Sequence, residues 1–304
     1  MIYYLHKTKE RTQKMKDYII VTVAVMLLAV NFVIQKQYQR KAGTALFTSL
    51  FFNAFTGFFS AIIIFIVNGF RLSVSPFSAL MAILSSSASL LYTMLGFRIL
   101  KKGNMSLYTL FVMTGGMIVP YIWGILFLNE TATPLRVIGL LIITAAVLLS
   151  NKITEKSDKS QLLLCAGVFL LNGIVSVVSK MHQVDTVHNP VGATDFVVLT
   201  GIVRFVLCST SLLIMKTGKI IQAPQLRYRS LLPLIALGSA MSGISYVLQL
   251  ISAGNLPASV LYPLITGGSI IFTAIAGRLV FSEKPSKRQL AAIIICFIGT
   301  CMFL

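Results

Sequence analysis

Arg204 is the residue whose position most needs a chemical reason. It falls within VVLTGIVRFVLCST, near the middle of an apolar run over 193–216. At the centre of a membrane-crossing helix an arginine costs at least ~2.5–3.5 kcal/mol on insertion scales, so it must face a bundle interior. Backbone carbonyls or an anionic group of a bound solute could satisfy it there. Asp195 lies about half a rotation away and ~13 Å along the helix axis, too far to be an intrahelical partner. The chain has 8 acidic residues, and none sits mid-segment. Exchange of a proton for a cation would need such a carboxylate, so that chemistry is disfavoured.

Other polar side chains cluster at similar depth. Asn31 and Asn172 occupy comparable places in the two halves of the chain. Ser85, Ser86, Ser87, Ser89 and Tyr92 share one run, and Ser239, Ser242, Ser245, Tyr246 and Gln249 another, where Ser242, Tyr246 and Gln249 fall on one helical face. Two further runs carry Thr114, Gly115, Gly116, Pro120 and Trp123, and Tyr262, Pro263, Thr266, Gly267 and Gly268. Interior Gly and Pro permit close helix approach and free backbone groups, so Thr114, Trp123, Tyr262 and Thr266 are expected to look inward. The whole set describes a mildly polar cavity. Phe47, Phe51, Phe55, Phe58 and Phe59 are expected to pack or face lipid.

Composition says what must position these groups. Hydrophobic residues make up 56% of the 304 and charged residues 11%, an apolar excess that marks a polytopic membrane protein. The net charge of +18 comes from 26 Lys and Arg scattered over short gaps, with no basic stripe interleaved with aromatics, so nucleic acid is not an expected partner. Cys165, Cys208, Cys296 and Cys301 lie in apolar runs and read as small core residues. His182, Asp185 and His188, in HQVDTVH, read as a solvated loop rather than a metal site. Gly-rich phosphate loop, nucleophile elbow and HExxH are all absent, so no enzyme active site and no cofactor are expected.

Ten apolar segments are expected to cross the membrane as helices, at about 18–36, 44–67, 77–98, 105–128, 134–151, 161–180, 193–216, 231–252, 256–281 and 286–304. A basic stretch, 1–17, precedes them without the form of a cleavable signal, and Met15 is an alternative start. The chain also repeats itself. GNMSLYTLFVMTGGMIVPYIWGILFLNE, Gly103 to Glu130, returns half a chain later as GNLPASVLYPLITGGSIIFTAIAGRLVFSE, Gly254 to Glu283. A Gly-Asn, a Thr-Gly-Gly and the lone acidic residue of each stretch align, which marks an internal duplication. The expected units are 1–151, the first five-helix repeat with its basic leader, and 161–304, the second.

Five helices is an odd number, so the second copy must insert upside down. The charges agree. Lys36, Arg40 and Lys41 answer a loop with only Lys180, and Arg71 alone answers Lys216, Lys219, Arg227 and Arg229. Arg98, Lys101 and Lys102 answer a loop with no basic residue, and Arg136 alone answers Arg278, Lys284, Lys287 and Arg288. Opposed basic loops are what positive-inside bias predicts for inverted repeats. The loop count puts both termini outside, whereas the basic N-terminus argues for the reverse.

The two repeated stretches resemble the drug/metabolite transporter superfamily, in particular its EamA-like branch. Each copy ends in a helix, a small or polar residue before an acidic one, and a nearby proline: Asn129-Glu130 with Pro134, and Ser282-Glu283 with Pro285. The resemblance implies a secondary transporter of a small polar metabolite (an amino acid, organic acid or sugar derivative) working by alternating access, with a central site between the halves. It implies an integral protein of the bacterial cytoplasmic membrane, with lipids and a small-molecule substrate as partners, and possible use of a coupling proton or counter-substrate. Either a monomer or a homodimer is compatible. Small multidrug-resistance relatives carry a glutamate in their first helix; Tyr18 to Lys36 has none. A multidrug exporter of hydrophobic compounds and a non-transporting scaffold or sensor are the alternatives.

Overall fold

The computed structural model describes residues 2–101, 105–151, 159–218, 228–282 and 285–304. Gly103, Asn104 and Glu283, which help to define the repeat, lie outside them. Among the described residues the chain forms ten α-helices and no strand: α1 Ile2–Ala42, α2 Leu46–Val67, α3 Pro76–Lys101, α4 Met105–Phe127, α5 Pro134–Ser150, α6 Lys159–Val184, α7 Ala193–Thr217, α8 Leu232–Asn255, α9 Ala258–Phe281 and α10 Lys287–Cys301. Eight are long and apolar enough to span a bilayer, and α5 is a shorter apolar helix of 17 residues. Exposed large side chains such as Leu126, Leu163, Leu213 and Leu279 suit lipid rather than water on the outer surface.

The helix ends follow local chemistry. Thr133 caps α5, accepting from the Arg136 amide, with Pro134 as the first helical residue, whose missing N–H costs nothing there. Ser286 and Gln289 form a reciprocal capping box at α10. Two expectations shift. Helix α1 runs past position 36 to Ala42, because Gln, Lys and Arg end an apolar span without ending a helix. Helix α6 likewise continues through Lys180 and His182 to Val184.

Packing runs across the halves. Helix α2 lies on α7, α1 on α8 and α9, α6 on α3 and α4, α2 on α8, α7 on α3, α4 on α9, and α5 on α10. Exchanging each helix for the one five places later maps this set of contacts onto itself. The two sets of five helices are therefore interleaved, and the extensive contacts join one set to the other. Cores form on two sides, one from Met117, Tyr121, Ile143, Val147 and Leu261, the other from Ile64, Ala82, Phe196, Val198 and Leu250.

The backbones of α2 and α7 approach closely where they cross beside the bundle centre. A Cβ added at Gly57 would lie 2.6 Å from the Gly201 carbonyl oxygen, and one added at Gly201 would lie 2.8 Å from that of Gly57. No side chain fits at either position, so glycine sets the helix separation. The Phe row of α2 packs around this crossing. Phe51 and Phe55 sit 4.5 Å apart between ring centroids, and Phe58 lies 5.1 Å from Phe205 of α7. Gly57→Ala and Gly201→Ala are each expected to cost about 1–3 kcal/mol by overpacking, read as a lower unfolding midpoint in detergent. Gly192→Ala is the comparison, since nothing lies within 4 Å of its added Cβ; equal midpoints for all three would remove the crossing from the account.

Candidate functional site

A cavity of about 400 Å³ lies at the middle of the bundle, lined from α1, α2, α3, α4, α6, α7, α8 and α9. Nine residues singled out in sequence line it: Asn31 from α1, Tyr92 from α3, Asn172 from α6, Arg204 from α7, Ser242, Tyr246 and Gln249 from α8, and Tyr262 and Thr266 from α9. Thr114 and Trp123 do not. The Thr114 hydroxyl donates to its own helix at Leu110 O (2.7 Å) and is buried, while Trp123 stacks on Phe127 at 5.9 Å. The inward expectation fails for both because inner and outer faces of α4 are set by its neighbours, not by residue type. Its inner face carries Val112, Met113 and Gly116 instead.

Arg204 comes close to α2 because Gly57 has no side chain; a Cβ there would be 3.2 Å from that of Arg204. Its Nε is buried without a hydrogen-bond partner, and no carboxylate pairs with it among the described residues. Asn31 is buried too, with Oδ1 unpartnered. By contrast, Asn172 donates to Val112 O (2.7 Å), reaching the α4 backbone where Gly116 leaves room. Tyr246 OH shares a hydrogen bond with Ser179 Oγ (2.8 Å), Gln249 donates to Ser245 Oγ (3.0 Å), and Tyr262 OH donates to Ser176 O.

Below the cavity, at the end where α6 and α8 finish and α7 and α9 begin, polar side chains tie the helices together. Glu130 accepts from the Ala258 and Ser259 amides (2.7 and 2.8 Å), the first turn of α9. A carboxylate there satisfies two of the orphan donors and complements the helix dipole. Its placement starts with Asn129, whose left-handed φ of 52° ends α4 and lets the Glu130 amide bond back to Gly124 O. Gly124 also makes room for the carboxylate, since a Cβ there would be 2.7 Å from Oε2. Ser282, before Glu283, has the same left-handed backbone (φ 54°).

Lys180 completes the junction from the other side. Its Nζ donates to Ala253 O (2.6 Å) and Leu256 O (2.7 Å), the carbonyls that end α8. Asn255 donates to Asp17 Oδ1 (2.9 Å), and Asn68 donates to Asp195 Oδ1 (2.7 Å). The sequence reading of Lys180 as a loop charge is thus corrected: it is buried, and lies opposite backbone carbonyls rather than water. The loop reading fails for His182 as well. That ring is fully buried against Phe196 at 3.8 Å and bonds through Nε2 to Ser78 Oγ (2.8 Å). Asp185 and His188 do lie beyond the helix. Hydrogen bonds from the His188 backbone and then its ring hold the Asp185 carboxyl below the usual range. No three potential metal ligands come together among the described residues.

Sequence reasoning passed over Gly57, Ser60, Thr200, Gly201 and Gly243, which also line the cavity. The signal was present as small residues one turn apart, Gly57 with Ser60 and Ala61 in α2.

An all-helical bundle, apolar outside and with a cavity at mid-depth, defines a polytopic membrane protein. Residues 160–304 match the model of the EamA-like transporter family, part of the drug/metabolite transporter superfamily. The match points to a transporter rather than an enzyme. A protein of known crystal structure has the same fold: TM-score 0.72 over 94% of this chain and 96% of its own, at 15% identity. No curated protein matches the chain.

Losing the Glu130 carboxylate should loosen the α8–α9 junction. Glu130→Ala is expected to lower stability by about 0.5–2 kcal/mol, the usual worth of a cap, with Glu130→Gln intermediate because an amide oxygen can still accept one bond. Unfolding midpoints in that order support capping, and an unchanged midpoint for the alanine variant refutes it.

Proposed function

We propose that the protein is a secondary transporter that moves a small polar metabolite bearing an acid group across the membrane, with Arg204 as the contact for that group. One observation carries this reading: a guanidinium at mid-membrane depth lines a central cavity with no protein acceptor for its Nε. A cation left in this way is costly unless another anion arrives, and a solute is the available source.

Transport would proceed by alternating access. Residues 1–151 and 161–304 act as repeats inserted in opposite senses, in line with their opposed basic loops. The junction held by Glu130, Lys180 and Asp17 closes one end, and opening that end breaks those bonds. The opposite end carries the larger share of Lys and Arg and faces the cytoplasm of a bacterial cell, the membrane being the cytoplasmic one. A scaffold or sensor would have no use for a central cavity lined by a cation whose Nε has no protein partner. A proton-coupled cation exporter lacks the carboxylate it needs.

Uptake or counterflow in proteoliposomes tests the reading through Arg204→Met. Flux is expected to fall to background while membrane level stays normal and the unfolding midpoint holds or rises, because an unpaired buried charge has been removed. Unchanged flux, or a collapse in stability, would show that the residue is structural.

A further inference from the structure

The polar residues of the cavity divide by what their hydrogen-bonding groups already do. Asn172, Tyr246 and Tyr262 are committed to the protein, joining α6 to α4, α8 and α9; Gln249 donates within α8 to Ser245 Oγ, which in turn donates to Ala24 O of α1 (2.7 Å). Arg204 Nε and Asn31 Oδ1 are buried without a hydrogen-bond partner, and Tyr92 lines the same space. Asn31 is more than nine-tenths buried, at 8% exposure, yet its Oδ1 has no partner. A buried polar group without a protein partner is costly, so such a group marks where a polar atom of a ligand would complete the site.

Charge narrows the class. Arg204 is the one charged side chain among the described residues lining the cavity, and no carboxylate joins it there. A single acid group finds a partner. The second charge of a dianion finds none, and the ammonium of a zwitterion meets only neutral oxygens, which compensate poorly for lost hydration. Space adds a further limit: at roughly 30 Å³ per water, 400 Å³ exceeds what a three-carbon acid fills. Leu28, Phe32 and Met113 supply apolar wall.

On the transporter reading above, we infer that the substrate is a singly charged organic acid with a neutral hydrogen-bonding group and an apolar body. The acid group meets Arg204, and the neutral group meets Asn31 and Tyr92. Tyr246, Tyr262 and Asn172 hold helices in register and do not choose the solute.

The test uses the purified full chain and probes that share one body: 3-phenyllactate, 3-phenylpropionate, phenylalanine, phenethylamine and phenylsuccinate, with the corresponding 4-methylpentanoate series as a second body. Thermal stabilisation and proteoliposome counterflow are measured for each. In at least one series the hydroxy acid is expected to bind about ten-fold more tightly than the amino acid and than the acid lacking the hydroxyl, with the amine and dianion weakest. Asn31→Leu should abolish the preference for the hydroxyl, whereas Tyr262→Phe should change the flux rate and keep the order of preference. A zwitterion or dianion ranking first, or no discrimination in either series, overturns the assignment. Flux with a different ranking overturns this class alone. Binding in the expected order without flux retains the class and refutes transport, and absence of both binding and flux overturns both.

Discussion

A low-dielectric slab demands a partner for every polar group, and the architecture follows from meeting that demand. Backbone groups are met within helices, which leaves side chains and helix ends as the remaining debts. Most are settled visibly. Lys180 meets the carbonyls that end α8, Glu130 meets the amides that begin α9, and His182 meets Ser78. Arg204 stands out because the same rule leaves its Nε unmet beside a cavity.

The junction between α8 and α9 concentrates opposite charges on opposite helix dipoles. Lys180 sits at a C-terminus and Glu130 at an N-terminus, so each charge is favourable where it is and would be unfavourable at the other's place. Both come from helices or turns distant in sequence, α6 and the end of α4. Tyr262, one turn into α9, bonds to Ser176, one turn before Lys180 in α6. The cavity wall and the tied end are thus parts of one pair of helices, and a movement of α9 relative to α6 would alter both together.

The interleaved packing gives the cavity its lining from both halves. Had each half folded on itself, Asn31 and Asn172 would lie in separate bodies; because α1 packs on α8 and α9 while α6 packs on α3 and α4, both reach one space. The glycine pair at the α2–α7 crossing brings the Arg204 backbone beside α2. Glycine at Gly57 is therefore part of how the site is built, though it offers no functional group.

Apolar runs near the length of a bilayer crossing were enough to place the ten helices, because helix formation in lipid depends on local composition. They also put Asn31, Tyr92, Asn172, Arg204, Ser242, Tyr246, Gln249, Tyr262 and Thr266 at cavity depth, since depth is read by counting along a helix. Facing is different. Thr114 and Tyr262 are both polar residues in matching stretches, yet one bonds to its own helix and the other crosses to α6, a choice made by neighbouring helices. Lys180 and His182 look like loop residues in the sequence, and only the carbonyls of α8 and the ring of Phe196, brought in by folding, explain their burial. Sequence alone determined the helices and the depth of each polar group, both properties of local chain; the tertiary structure decided which polar groups bond across helices and which line the cavity without a protein partner, because hydrogen bonds between helices depend on partners far apart in the chain.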